Sequence, residues 1–236
     1  MAEYGIRITN DSGIVQIDGN YRNFQLINKG VAVPDTTVVG GAGEYFMQSK
    51  TLQFTGLTNP IIVIYCTDQA FVTQSLVNGV HAFSLYRRKT NSSSIEWWLF
   101  DDVKPAPVSG WGTAIRNQAN QIVYNTNLPP FRVAGIVERS VRDAAADFAF
   151  TPGRKYAYVP CRMGEFYDVA LGPGSVGSNP TVAVNNVVSC CAGISGGVRI
   201  GNESWYVFVG NYNQSPQMDA WNSIVATWLI VDVTNL

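Results

Sequence analysis

Five stretches of this chain carry residue types at spacings that chemistry uses. Gly193-Ile194-Ser195-Gly196-Gly197 matches the GxSxG pattern, in which a strained turn between strand and helix presents a serine to its base. In that fold the base histidine follows the serine. The single histidine here, His81, precedes it, and no helix-forming run follows Gly197, so the stretch reads as a glycine-rich hairpin turn. A chymotrypsin-like order would put histidine first, but it needs a buried aspartate between and a specific double barrel. His81 itself, between Val80 and Ala82-Phe83, reads as a hydrogen-bonded structural histidine. Gly172-Pro173-Gly174-Ser175-Val176-Gly177 matches GxGxxG. A dinucleotide site needs that loop to open a helix, whereas Ser178-Asn179-Pro180-Thr181-Val182 leads into a strand, so a surface loop is expected.

The acids are weighed the same way. Glu165 with Asp168, or Asp101 with Asp102, would be the pairs for glycoside hydrolysis, but neighbouring acids in a strand point to opposite faces. They read as solvated charge. Asn10-Asp11-Ser12-Gly13 with Asp18 has oxygens for calcium, yet lacks the spaced acids and closing glutamate of a recognised loop, and a hairpin turn explains it. Cys66, Cys161, Cys190 and Cys191 have neither CxxC spacing nor the even spacing of a disulfide framework. They read as reduced thiols. No catalytic, cofactor or metal residue is assigned, and the chain is expected to be no enzyme and to need no cofactor.

One surface reads as a candidate binding site. Tyr212 and Trp221 flank the loop from Asn211 to Asp219, which is rich in Asn, Gln, Ser and Pro. An aromatic face beside amide side chains suits sugar or peptide recognition, so Asn211, Tyr212, Asn213 and Trp221 form that candidate.

The elements that must position these residues are strands almost throughout. Ile6 to Ile8, Ile14 to Ile17 and Phe24 to Ile27 alternate in short runs split by turn-forming Asn, Asp and Gly. Gly5, Ile8, Asn10, Asn20 and Phe24 then return in order as Gly112, Ile115, Asn117, Asn127 and Phe131. A second echo closes each half, Trp98-Leu99-Phe100-Asp101-Asp102-Val103 against Trp228-Leu229-Ile230-Val231-Asp232-Val233. It aligns Trp98 with Trp228 as equivalent core anchors and leaves Trp97 facing the other side. Internal repeats decide architecture before local signals do. The expected fold is all-β, two related β-sandwich-like halves in tandem or as one pseudo-symmetric sandwich, with short antiparallel strands. Residues 1–104 form the first half, 105–110 a linker of proline, serine and glycine chemistry, and 111–236 the second, longer half. One short helix is proposed at most, from a capping-box start at Ser140-Val141-Arg142-Asp143 through Phe148. The extra length of the second half falls at Gly172 to Pro180 and Gly210 to Gln217, and loops on a rigid frame are where binding sits.

Composition excludes charge-driven partners. Charged residues are 14% of 236, and net charge is −1, so no electrostatic footprint for nucleic acid or an anionic membrane exists. The longest apolar runs, Ile61 to Cys66 and Val225 to Val231, are strand-sized, so no membrane insertion is expected. Met1 to Arg7 lacks a basic segment followed by an apolar run, so no Sec-type signal peptide is expected, and the thiols read as those of a protein made in the cytoplasm.

The opening Tyr4-Gly5-Ile6-Arg7-Ile8-Thr9-Asn10-Asp11-Ser12-Gly13-Ile14-Val15-Gln16-Ile17-Asp18, continuing through Tyr21-Arg22-Asn23-Phe24, resembles the start of small all-β tail-tip and tail-fibre-associated virion proteins of long-tailed bacteriophages and prophages. Trp111-Gly112 through Asn125 resembles the same pattern less closely, with Asn120 in place of its glycine. The resemblance covers about a quarter of the chain and carries no catalytic residues. It implies a structural component of a tail tip or tail fibre that docks on other tail proteins and contributes to host attachment. It also implies a homo-oligomer, by preference a trimer, assembled in the host cytoplasm and located in the virion tail. The residues leave two other functions open: a carbohydrate-binding receptor-binding protein acting through Trp221, and a polysaccharide hydrolase acting through a carboxylate pair or Ser195.

Overall fold

The computed structural model describes residues 7–9, 15–18, 23–38, 44–102, 112–117, 119–171, 181–211 and 225–236. The first half supplies a hairpin, β1 (Arg7–Thr9) and β2 (Val15–Asp18), then β3 (Gln25–Ala32), β4 (Thr36–Thr37), β5 (Glu44–Tyr45), β6 (Met47–Thr55), β7 (Ile61–Tyr65), β8 (Ala70–Val77), β9 (Val80–Arg88) and β10 (Ile95–Asp101). The second half supplies a hairpin, β11 (Ala114–Arg116) and β12 (Ile122–Asn125), then β13 (Val133–Ser140), β14 (Ala146–Ala149), β15 (Tyr156–Arg162), β16 (Glu165–Leu171), β17 (Thr181–Ile194), β18 (Gly197–Asn211) and β19 (Val225–Asp232). The fold is all-β and sandwich-like, as the alternating runs predicted.

Two large antiparallel sheets carry strands from both halves. The six-stranded sheet runs β13-β19-β15-β7-β10-β3, and the larger one runs β14-β18-β17-β8-β9-β6-β4, with β16 added on β17 and β5 on β18. Ile62, Ile64, Tyr158 and Trp228 of the first sheet pack against Phe71, Phe83, Leu85, Cys190 and Ile200 of the second. Apolar burial of this kind stabilises by about 25 cal/mol per Å² and is the main force holding the sheets together. The outer face of the six-stranded sheet is also covered: Val63, Trp98, Phe100, Ala157 and Val231 form a second core with Phe24 and Phe131. That is why β10 is buried on both faces, whereas β9 alternates residue by residue.

Each sheet reads the same from its middle outwards, which gives the chain a pseudo-twofold axis. In the six-stranded sheet β7, β10 and β3 answer to β15, β19 and β13; in the larger one β8, β9 and β6 answer to β17, β18 and β14. The register repeats as well as the order. Hairpin β1–β2 pairs Arg7 with Asp18 and Ile8 with Ile17, then slips to pair Thr9 with Val15; β11–β12 pairs Ala114 with Asn125 and Ile115 with Tyr124, then slips to pair Arg116 with Ile122. Every partner is displaced as Gly5 is to Gly112. A bulge skips Ile27 on β3 and Ala134 on β13, again equivalent positions. The two copies touch where the rings of Phe24 and Phe131 meet tilted at 53°, 6.1 Å between centroids, and Phe131 N–H donates to the Phe24 carbonyl at 2.9 Å.

Two local expectations are corrected. Residues 140–148 form no helix. Ser140 makes a turn, its carbonyl accepting from Asp143 N–H at 3.2 Å, and β14 comes next, pairing Ala146 to Ala149 with β18. Ala146 and Phe148 alternate inward with Asp147 and Ala149 outward, a period of two, and Phe148 packs on the main core. An open sheet edge outcompetes so short a helix. The closing echo is also off by one. Leu26 pairs with Phe100 and Val133 with Val231, so the ladder aligns Trp97, and not Trp98, with Trp228. Trp97 and Trp228 lie in the core between the sheets, Trp98 in the outer one. A one-residue slip in a strand exchanges its faces, and identity at Trp-Leu had hidden it.

The described part of the second half's extra length is strand and not loop: β17 and β18 outrun β8 and β9, Gly210 and Asn211 still pair in that ladder, and 172–180 and 212–217 lie outside the described residues. β16 has no counterpart among the described strands of the first half, and it pairs the start of β17 across the 172–180 stretch. The other addition falls between β18 and β19.

Candidate functional site

One end of the six-stranded sheet opens into a cavity of about 450 Å³, within the range of small-molecule sites. Its walls come from five places in the sequence. Tyr65 ends β7 and pairs across the ladder with Glu96 on β10, which also brings Trp98 two residues on. The turn Gly153-Arg154-Lys155 leads into β15, and the β17–β18 turn supplies Ser195. Thr234 and Asn235, just after β19, close the rim.

Lys155 is the centre of this arrangement. Its Nζ donates to both carboxylate oxygens of Glu96, at 2.6 and 2.7 Å. The same ammonium stands 4.4 Å from the Tyr65 ring centroid and 5.5 Å from that of Trp98, so two ring faces share the cation. Both partners of the ion pair are about one third exposed, so it adds little stability, about 0–1 kcal/mol. Its consequence is positional: a donor and an acceptor are held side by side in an aromatic cleft. The backbone around Lys155 is fixed too, its N–H donating to Thr234 Oγ1 at 2.9 Å and its carbonyl accepting from Val233 at 3.0 Å. Behind it Arg154 donates to Asp232 Oδ2 at 2.6 Å. Burial works to raise the Asp232 carboxyl, but hydrogen bonds from Thr234 and Arg154 and the nearby charge of Arg132 outweigh it and hold the group below the usual aspartate value. Glycine at 193 matters for the shape, because a Cβ there would run into the Tyr65 ring.

The pseudo-twofold axis supplies an internal control. Glu96 and Trp98 answer to Thr227 and Leu229, and Arg154 and Lys155 to Thr58 and Asn59. Where Tyr65 closes β7, β15 carries a bulge across Pro160 to Arg162. The scaffold is the same in both copies. Asp101 accepts from Thr58 and Asn59 N–H at 2.9 and 2.8 Å, holding the turn before β7, as Asp232 holds the turn before β15 through Arg154. Among the described residues, the aromatic and charged set is present at one end alone.

Most of the residues singled out from the sequence have structural places. Ser195 lines the cavity, but it sits with Gly196, at φ 67°, in a tight hairpin turn followed by β18, not in a strand-to-helix elbow. His81 is 7% exposed, lies 3.4 Å from Gln74 through Nδ1 and is not among the residues lining the cavity. Asp101 is buried as described, and Asp102 accepts from Asn59 Nδ2 at 3.2 Å. Glu165 accepts from Asn186 Nδ2 at 2.6 Å, and the Asp168 side chain lies outside the described residues. Cys66, Cys190 and Cys191 are buried free thiols pushed up by desolvation, Cys66 to about 11, while Cys161 is exposed. Among the described residues no three His, Cys, Asp or Glu side chains converge on a metal position, and no helix is long and apolar enough to cross a membrane.

The candidate surface at Tyr212, Asn213 and Trp221 lies outside the described residues, as do the 172–177 loop and Asn10 to Gly13. Asn211 closes β18 opposite Thr181. Tyr65, Glu96, Arg154 and Lys155 do not stand out by motif or spacing. A signal was present nonetheless: Glu96 stands beside Trp97-Trp98 in a strand otherwise apolar through Phe100, and a lone acid there asks for a partner. Its partner is distant in sequence and only the fold brings it in. Comparisons with family models, with curated proteins and with solved structures gave no match.

Proposed function

We propose that this chain is a structural, non-enzymatic component of a bacteriophage tail tip or tail fibre, docking on other tail proteins and contributing to host-cell attachment. The observation that carries the reading is the opening Tyr-Gly-x-x-Ile-x-Asn pattern, answered in the second half by Trp111-Gly112-x-x-Ile-x-Asn, with the two hairpins sharing the same register slip. The sheet edges support docking. Val31 is 65% exposed on β3 and Ile136 65% exposed on β13, and these are the two edge strands of the six-stranded sheet. Exposed apolar side chains on sheet edges invite pairing with another chain. A trimer of 25.8 kDa chains in the tail is the assembly this reading favours, and a strict monomer by light scattering at high concentration counts against it. The cavity does not favour the hydrolase reading. Its acidic side chain, Glu96, is held by Lys155, whereas glycoside hydrolysis needs two carboxyls facing the bond. Gold labelling of an epitope on this chain in intact particles tests the assignment. Label at the tail end is the result expected, and purified particles free of the chain would overturn it.

A further inference from the structure

We infer that the cavity around Lys155 binds a neutral, hydroxyl-rich ligand, a saccharide, through the Lys155–Glu96 pair. This deepens the host-attachment part of the proposed function, but it concerns the isolated chain and is tested without particles.

The charge balance selects the ligand class. Lys155 is matched by Glu96 at 2.6 Å and Arg154 by Asp232 at 2.6 Å, so the cavity offers its cations already compensated. A phosphate or sulfate would have to displace a bound carboxylate and would meet Glu96 as a like charge. An ammonium ligand would meet Lys155. A neutral diol suits both at once: one hydroxyl donates to Glu96 while accepting from Lys155, and its neighbour reaches the Ser195 hydroxyl or the Asn235 amide. Hydrogen bonds to charged groups are the stronger kind, which makes the exchange with water favourable.

The groups are also held ready. The Lys155 ammonium is fixed by two carboxylate contacts and two ring faces, and its backbone by Thr234 and Val233. Tyr65 and Trp98 make apolar walls against which C–H faces of a sugar ring pack. Preorganisation of this kind lowers the ordering cost of binding. The equivalent end of the molecule has the same ladders but carries Thr227, Leu229, Thr58 and Asn59, so the scaffold does not require the Lys155 set.

The test uses the purified full chain on a panel of immobilised glycans holding neutral oligosaccharides beside sialylated, sulfated and phosphorylated ones. A neutral glycan is expected to be retained. Titration of that glycan in solution should then weaken at least tenfold in Glu96→Gln and in Lys155→Met and stay within twofold in Thr227→Ala and Asn59→Ala, all four variants keeping the wild-type melting temperature within a few degrees. Binding of no neutral glycan, preference for the acidic glycans, or equal affinity in Glu96→Gln and Lys155→Met would each overturn the inference. A chain that binds neutral glycans yet is missing from particles would refute the tail assignment and leave this one standing.

Discussion

Asp101 and Asp232 occupy equivalent positions and both pin a turn, yet they do so with different partners. Asp101 takes three backbone N–H groups, those of Thr58, Asn59 and Asp102, whereas Asp232 takes one from Thr234 and the guanidinium of Arg154. The Asp232 carboxyl is held below its usual value, so the folded state binds its proton less readily than the unfolded chain. Its stabilisation is therefore full above the unfolded value, near pH 4, and is lost as pH falls through the lower folded value. Urea midpoints of the wild type should drop more steeply between about pH 4 and pH 2 than those of Asp232→Asn, and equal slopes would contradict this account. The thiols give a second check at this scale. Cys161 is exposed, while the three others are buried and their desolvation favours the protonated form. One thiol per native chain should react with an aromatic disulfide reagent and four after unfolding; Cys161→Ser should leave no fast-reacting native thiol. At this scale the sequence was legible where a side chain answers to its neighbours, as at His81 and the Ser195 turn. It was illegible where the partner is distant, as Lys155 is from Glu96.

Strands were readable from alternation, and Asn78-Gly79, at φ 51° and 77°, joins β8 to β9 as a dipeptide suited to a tight hairpin turn. Two elements show why the rest was not. The capping box at Ser140 is a local signal, and it makes a local turn; the conformation of residues 146–149 is decided by the free edge of β18, a non-local fact. The Trp98 and Trp228 echo is a match of residue types, while ladder register is set by bulges at Ile27 and Ala134 that no residue type announces. β14 offers a direct test. A Cβ at Gly197 would strike the Phe148 carbonyl oxygen, a backbone atom that cannot turn aside. Gly197→Ala is expected to cost about 1–3 kcal/mol by overpacking, lowering Tm by roughly 2–10 °C. An unchanged Tm would mean that residues 146–149 do not lie against β18.

At the scale of the whole molecule, the halves recognised in the sequence share both sheets. β7 meets β15 at Ile64 and Tyr158, and β8 meets β17 at Ala70 and Cys191, so each half completes the other's core. Neither block of strands buries its inner face alone. Calorimetry should therefore give one transition with equal calorimetric and van't Hoff enthalpies, and two resolved transitions would contradict the shared core. Sequence repetition announced this architecture but not the axis, because an echo says that two segments are alike and not that they pack against each other. The same axis separates scaffold from site: what recurs is ladder, bulge and turn-holding aspartate, and what does not recur is the Lys155 cleft. The central claim, a tail protein that attaches through the unrepeated end of a repeated frame, is tested most directly by adsorption to host cells of particles carrying Glu96→Gln with Lys155→Met, against particles carrying Thr227→Ala with Asn59→Ala. The account predicts that both variants assemble, with adsorption lost at least tenfold in the first and kept in the second; equal adsorption would contradict it.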